Sequence, residues 1–161
     1  MQLSSLCLAA TALLAQASSA SYLLNSSHPS LKPFGFAAIN HDIHTDPVGL
    51  FQPTQYPYAH AAIDLDADGN LVGRFKFHQV ADGEWQFVAG RSVPTGPNDI
   101  TGPFAFEADQ FVYKGEGGGV WNACFHSERA GVRGHIIVLA TAPIQREGCV
   151  ADVTLMVTKN R

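Results

Sequence analysis

Apolar and polar residues alternate with a period of two along most of this chain. Residues 59–65 place Ala61, Ile63 and Leu65 on one face, with His60 and Asp64 on the other, and residues 71–78 repeat the pattern. A period of two is typical of half-buried antiparallel strands. Helical periodicity is almost absent, so the sequence predicts an all-β fold.

The alternation and the turn residues between segments predict a single domain of about nine short strands, either an antiparallel β-sandwich or a closed barrel. Residues 135–140 are apolar on both faces, which favours a central strand. Loops are predicted over residues 41–57 and 93–102, which are rich in proline, glycine or asparagine. The predicted strands cover residues 34–38, 59–65, 71–78, 85–89, 104–106, 111–114, 120–126, 135–140 and 150–158.

The first twenty residues predict a secretory signal peptide. They carry no charged side chain, contain an apolar stretch from Leu6 to Ala15, and end with Ser18 and Ala20 at the −3 and −1 positions of a cleavage site. The apolar stretch is too short for a membrane anchor, which needs about 20 residues. We therefore expect residues 21–161 to form a secreted β domain, located outside the cell or in the cell wall, with no membrane attachment after cleavage.

Charge and cysteine content narrow the functional classes. The formal net charge is −4, and the acidic and basic residues are mixed along the chain, so no nucleic-acid-binding face is predicted. Cys7 leaves with the signal peptide, and Cys124 and Cys149 remain as the only intramolecular pair. In an oxidising compartment we expect them to form a disulfide, which would stabilise the fold by roughly 3 to 4 kcal/mol. A reactive thiol is the competing interpretation.

Two short motifs suggest modification or ion binding. Asn25 begins an Asn-Ser-Ser sequon, so it is a predicted glycosylation site. Residues 64–70 match the first half of an EF-hand loop, but Phe75 stands at the twelfth position, where calcium needs a bidentate Glu. We therefore predict a hairpin without calcium, in which Asp66 caps the turn and Asp68-Gly69 supplies the positive φ angles.

The histidines and carboxylates raise two enzymatic alternatives. His41, Asp42 and His44 lie close together in a predicted loop, and His60 is a fourth candidate ligand if the fold brings it near them. A zinc or copper site needs three or four converging ligands, so no metal and no cofactor is predicted. Glycoside hydrolysis needs two carboxylates about 5 to 10 Å apart. Candidates for that pair are Glu84, Glu107 and Glu116.

Aromatic residues suggest a binding surface. Most of them lie on alternating strands and are predicted to be core residues. Tyr56 and Tyr58 instead lie in a proline-rich loop. They are the predicted binding residues, for cell-wall polysaccharide or for an extracellular protein.

The pattern of the C-terminal half resembles a known family. Residues 111–115, 121–124 and 148–155, with the opening segment 34–39 and the hairpin 64–71, resemble small secreted cell-wall proteins of filamentous fungi of the PhiA type. More distantly, they are similar to the C-terminal domain of yeast wall proteins with internal repeats. The upstream Gln-containing repeats and the basic processing site are missing, so covalent linkage to glucan is not implied. Only Cys124 and Cys149 match by position, and the resemblance gives them a structural role.

The resemblance implies a secreted, non-catalytic fungal β-protein that associates with the cell wall or the extracellular matrix. Two alternatives stay open. One is a small secreted enzyme, either a glycan-active hydrolase or a His-metal oxidoreductase. The other is an exported effector that binds a host protein.

Overall fold

The computed structural model describes residues 21–32, 34–38, 46–51, 59–90, 96–127 and 133–160. Within these ranges the chain forms twelve strands and no helix. The strands are β1 Tyr22–Ser26, β2 Gly35–Ala38, β3 Asp46–Phe51, β4 Ala59–His60, β5 Phe75–Ala81, β6 Glu84–Ala89, β7 Phe104–Glu107, β8 Gln110–Tyr113, β9 Val120–Ser127, β10 Arg133–Ala140, β11 Cys149–Val150 and β12 Leu155–Lys159.

The strands form two antiparallel sheets. The smaller sheet has the order β1-β12-β8-β7, and the larger has the order β11-β9-β10-β6-β3-β2-β4 with β5 paired to β6. Within the described ranges neither sheet closes on itself, so the architecture is that of a sandwich and not of a closed barrel. The all-β prediction is confirmed, with more and shorter strands than the nine expected.

Aromatic side chains fill the space between the sheets. Phe77 and Phe87 stack with ring centroids 4.4 Å apart, and Phe111 stacks on Trp121 at 5.2 Å. The indole N–H of Trp121 donates to the carbonyl oxygen of Phe111 at 2.8 Å, so this buried polar group is satisfied. In such a fold, each strand turns its apolar residues towards the opposite sheet, and burial of large apolar rings between the two sheets is the main source of stability.

Strand β10 is a central strand, as the continuously apolar segment 135–140 predicts. It pairs with β9 along its whole length, and its other edge pairs with β3 near Gly134 and with β6 near Leu139. Ile137 packs in the main core, whereas Ile136 and Val138 pack in a smaller cluster on the outer face of the sheet. Burial on both faces explains why this segment is continuously apolar.

Several sequence-based boundaries were wrong. Strand β1 precedes the first predicted strand, and of the predicted strand 59–65 only Ala59–His60 forms a strand. Strand β3 lies inside the predicted loop 41–57, because the prolines masked a strand in which Pro47 pairs with Val88. Gly49 in β3 allows a close approach to β10, since a Cβ there would overlap the carbonyl oxygen of His135. The predicted strand 150–158 is split into β11 and β12, and Asp152 between them has a φ of 52°.

The disulfide prediction is confirmed. Cys124 in β9 lies directly opposite Cys149 in β11, with 4.0 Å between the Cα atoms, and the two sulfur atoms are bonded. Both cysteines pack against the outer cluster around Ile136 and Ile144. The bond therefore ties the two-residue strand β11 to the larger sheet.

Candidate functional site

A groove of about 310 Å³ lies between the two sheets. It is lined by one residue each of β6 and β8, by the loop before β7, by the glycine-rich turn after β8, and by the end of β10. Its volume is at the lower end of the range of about 300 to 1,000 Å³ that small-molecule sites occupy. We call it the Trp85 groove and define it by six of its lining residues. These are Trp85, Asn98, Asp99, Tyr113, Glu116 and Thr141.

Trp85 forms one wall of the groove. It lies in β6 on the face that packs against the main core, and its side chain is only partly buried. Its indole N–H donates to the carbonyl oxygen of Asn98 at 2.7 Å. This bond fixes the orientation of the ring and joins β6 to residues 97–100, which belong to the predicted loop 93–102.

Tyr113 forms the second aromatic wall, and its ring lies close to two glycines. A Cβ at Gly115 would overlap the Tyr113 hydroxyl, and a Cβ at Gly119 would lie 3.2 Å from Cδ1 of the same ring. Gly117 and Gly118 have φ values of 80° and 65°, which side-chain-bearing residues rarely adopt. The glycine run 115–119 therefore lets the chain turn tightly beside the ring.

Asp99 attaches the loop that lines the groove to strand β5. Its carboxylate is 2% exposed, forms an ion pair with Lys76, and lies 2.8 Å from Nδ1 of His78. It also accepts a hydrogen bond from the backbone N–H of Gly96 at 2.8 Å. Burial raises the pKa of Asp99, but the hydrogen bonds from Lys76, Gly96 and His78 outweigh it and lower the pKa to about 2. This carboxylate is therefore ionised at any physiological pH.

Glu116 lies on the rim of the groove and is exposed. The other two carboxylates considered for hydrolysis lie elsewhere and are paired. Glu84 forms a 3.0 Å ion pair with Arg146, and Glu107 forms a 3.0 Å ion pair with Lys114. Of the three predicted carboxylates, the structure places only Glu116 in the groove.

The predicted hairpin is present, with one correction. Leu65 and Leu71 pair across it, and Gly69 has a φ of 82°, whereas the expected positive φ at Asp68 is wrong. Oδ1 of Asp66 accepts from the backbone N–H groups of Asp68 at 2.9 Å and Asn70 at 2.8 Å. Hydrogen bonds from Asn70 contribute most to lowering the pKa of Asp66. The carboxylate therefore caps the turn, as predicted.

Several predicted site residues lie outside the described ranges. They are Tyr56, Tyr58, His41, Asp42 and His44. For His60, the structure describes only the backbone, which lies in β4. Within the described ranges, no three His, Cys, Asp or Glu side chains are grouped so that they could hold a metal ion. Asn25 lies in β1, and its amide donates to Oγ1 of Thr158 in β12 at 3.0 Å.

Sequence reasoning missed the aromatic residues of the groove. Trp85 and Tyr113 lie on alternating strands, and this placement predicted ordinary core residues. In the sequence, the glycine run 115–119 is typical of a simple turn, although a run of this kind beside an aromatic strand end also permits close packing of a ring. No sequence signal connects β6 with residues 97–100.

No family model, curated protein or solved structure matches this chain. In the part of the chain that the structure describes, there is no helix long and apolar enough to span a membrane.

Proposed function

We propose that this is a secreted, non-catalytic protein of the fungal cell wall or extracellular matrix, and that it binds polysaccharide through the Trp85 groove. One observation carries the proposal: two aromatic side chains, Trp85 and Tyr113, line one cavity together with polar groups from Asn98, Glu116 and Thr141. Ligand sites typically combine apolar walls with a few fixed polar groups. The resemblance to fungal wall proteins points to the same class of ligand.

The composition of the groove suits a sugar chain. A pyranose ring has an apolar face, which packs on an aromatic ring, and an edge of hydroxyl groups, which needs hydrogen-bond donors and acceptors. The Trp85 ring is oriented by its hydrogen bond to Asn98, and the Tyr113 ring packs against Phe104 with ring centroids 5.4 Å apart. A site of this kind loses little side-chain entropy when it binds.

The carboxylates of the groove support a binding role over hydrolysis. A glycosidase needs a general acid that is protonated near the working pH. Asp99 has a pKa of about 2, and its oxygens already contact Lys76, His78 and Gly96, so it is unsuited to that role. Glu116 would then have to act without a second free carboxylate among the described residues that line the groove.

Depletion of the purified mature protein by insoluble chitin and β-glucan tests the proposal. We expect the wild type to be depleted by at least one of them and Trp85→Ala to remain in solution. Phe125→Ala is the matched control, because Phe125 is an exposed aromatic residue outside the groove. Circular dichroism should verify that each variant is folded. Binding that survives Trp85→Ala, or release of reducing sugar ends during incubation, would contradict the proposal.

A further inference from the structure

The described lining of the Trp85 groove carries acidic groups and no basic group. Its ionisable side chains are the Asp99 and Glu116 carboxylates and the Tyr113 phenol, with no Lys, Arg or His among them. The charge of Asp99 is balanced by the ammonium group of Lys76, whose side chain is 7% exposed behind the groove. Glu116 is therefore the one charged group of the described lining that has no counter-ion among the described residues, and its charge is negative.

Glu116 is well placed to meet a ligand. It stands on the rim between Gly115 and Gly117, and no hydrogen bond or ion pair ties its carboxylate to another residue of the described ranges. The exposed Glu107 makes a useful comparison, since its carboxylate is already paired with Lys114. Among the described residues, none occupies either acceptor oxygen of Glu116, so both can meet a cationic or hydrogen-bonding group of a ligand.

We infer that the Trp85 groove prefers chains of amino sugars with free, protonated amines over the same chains in N-acetylated form and over acidic polysaccharides. The inference rests on the proposed function and specifies its ligand class. An ammonium group beside Glu116 gains an ion pair, and an ammonium group close to the face of Trp85 or Tyr113 gains a cation–π contact. A uronic acid at the same position would be repelled by Glu116. The net charge of −4 favours cationic chains at longer range.

The magnitude of the preference follows from the exposure of the site. Exposed ion pairs contribute little, so we expect the glucosamine oligomer to bind about two- to five-fold more tightly than its N-acetylated counterpart. Added salt should reduce this ratio, because mobile ions screen an exposed pair. The binding of the N-acetylated oligomer should be almost independent of salt, since stacking on the aromatic walls does not involve net charge.

The test is calorimetric titration with glucosamine and N-acetylglucosamine oligomers of equal length, at a mildly acidic pH at which the sugar amines are protonated. We expect Glu116→Gln to bind the two oligomers with equal affinity, because the substitution removes the carboxylate that pairs with the sugar ammonium groups. Glu107→Gln, the matched control, should keep the wild-type preference. Both substituted residues are exposed, so neither variant is expected to lose its fold.

The outcomes separate the two proposals. If the wild type binds both oligomers equally, or if Glu116→Gln keeps the preference, the inference about amino sugars is overturned and the polysaccharide-binding function stands. If the wild type binds no oligomer and no insoluble polysaccharide, the proposed function itself fails. If Glu116→Gln loses the preference and Glu107→Gln keeps it, both the proposed function and the inference about amino sugars are supported.

Discussion

Lys76 and Asp99 form an ion pair in which the two side chains are only 7% and 2% exposed. Lys76 lies in β5 and Asp99 in the loop before β7, so the pair connects the larger sheet with the wall of the Trp85 groove. Buried charges are costly unless they are paired and hydrogen-bonded, and here His78 and the backbone of Gly96 complete the set. The same residues thus stabilise the fold and position the groove.

Asp99→Asn should lower the free energy of unfolding by about 3 kcal/mol, because it removes one charge of a buried pair. Urea denaturation at neutral pH measures the change. The control is Glu107→Gln, which breaks a pair whose side chains are 53% and 51% exposed and should change stability by less than about 1 kcal/mol. Equal effects of the two substitutions would contradict the role given to Asp99.

The low pKa of Asp99 also predicts a pH dependence. In the unfolded chain this carboxyl titrates near 3.8, and in the folded protein its pKa is about 2. The unfolded state therefore binds more protons in this interval, and the contribution of Asp99 is complete above pH 4 and is lost as the pH falls towards 2. The loss should amount to about 2 kcal/mol. Urea denaturation from pH 5 to pH 2 should show this extra decrease in the wild type relative to Asp99→Asn, and parallel curves would refute it.

Much of the fold could be predicted from the sequence, since it depends on local patterns. Alternation at residues 71–78 and 85–89 led to β5 and β6, and the apolar segment 135–140 led to the central strand β10. The Cys124–Cys149 bond followed from the count of cysteines. The prediction failed at β3, where Pro47 and Gly49 are atypical strand residues that tertiary pairing accommodates.

The groove could not be predicted, because it depends on long-range placement. Trp85 lies in the larger sheet, Tyr113 in the smaller sheet and Asn98 in the loop before β7, and only the packing of the two sheets and this loop brings them together. The conformation of the loop carrying Asn98 depends on Lys76, which lies 23 positions before Asp99 in the chain. A one-dimensional pattern contains no information about such an ion pair.

Asn25 is expected to carry a glycan when the protein is secreted by a eukaryotic host. It lies in β1, the outermost strand of the smaller sheet, and Ser27 of its sequon is exposed. Mass spectrometry before and after deglycosylation should show one occupied site. Ser27→Ala should abolish the mass shift, and it leaves the hydrogen bond from Asn25 to Thr158 in place. An unmodified wild-type protein would show that the sequon is not used.

The central claim, that a sugar chain binds in the Trp85 groove, is tested most directly by NMR of the indole N–H groups. The chain has two tryptophans, which serve as probe and internal control. Trp85 lines the groove, whereas Trp121 is buried and donates to Phe111. Titration of a ¹⁵N-tryptophan-labelled sample with a chitin- or chitosan-derived oligosaccharide should shift the Trp85 indole resonance and leave that of Trp121 in place. A saturating titration that leaves the Trp85 resonance unmoved, or that moves only the Trp121 resonance, would contradict the account.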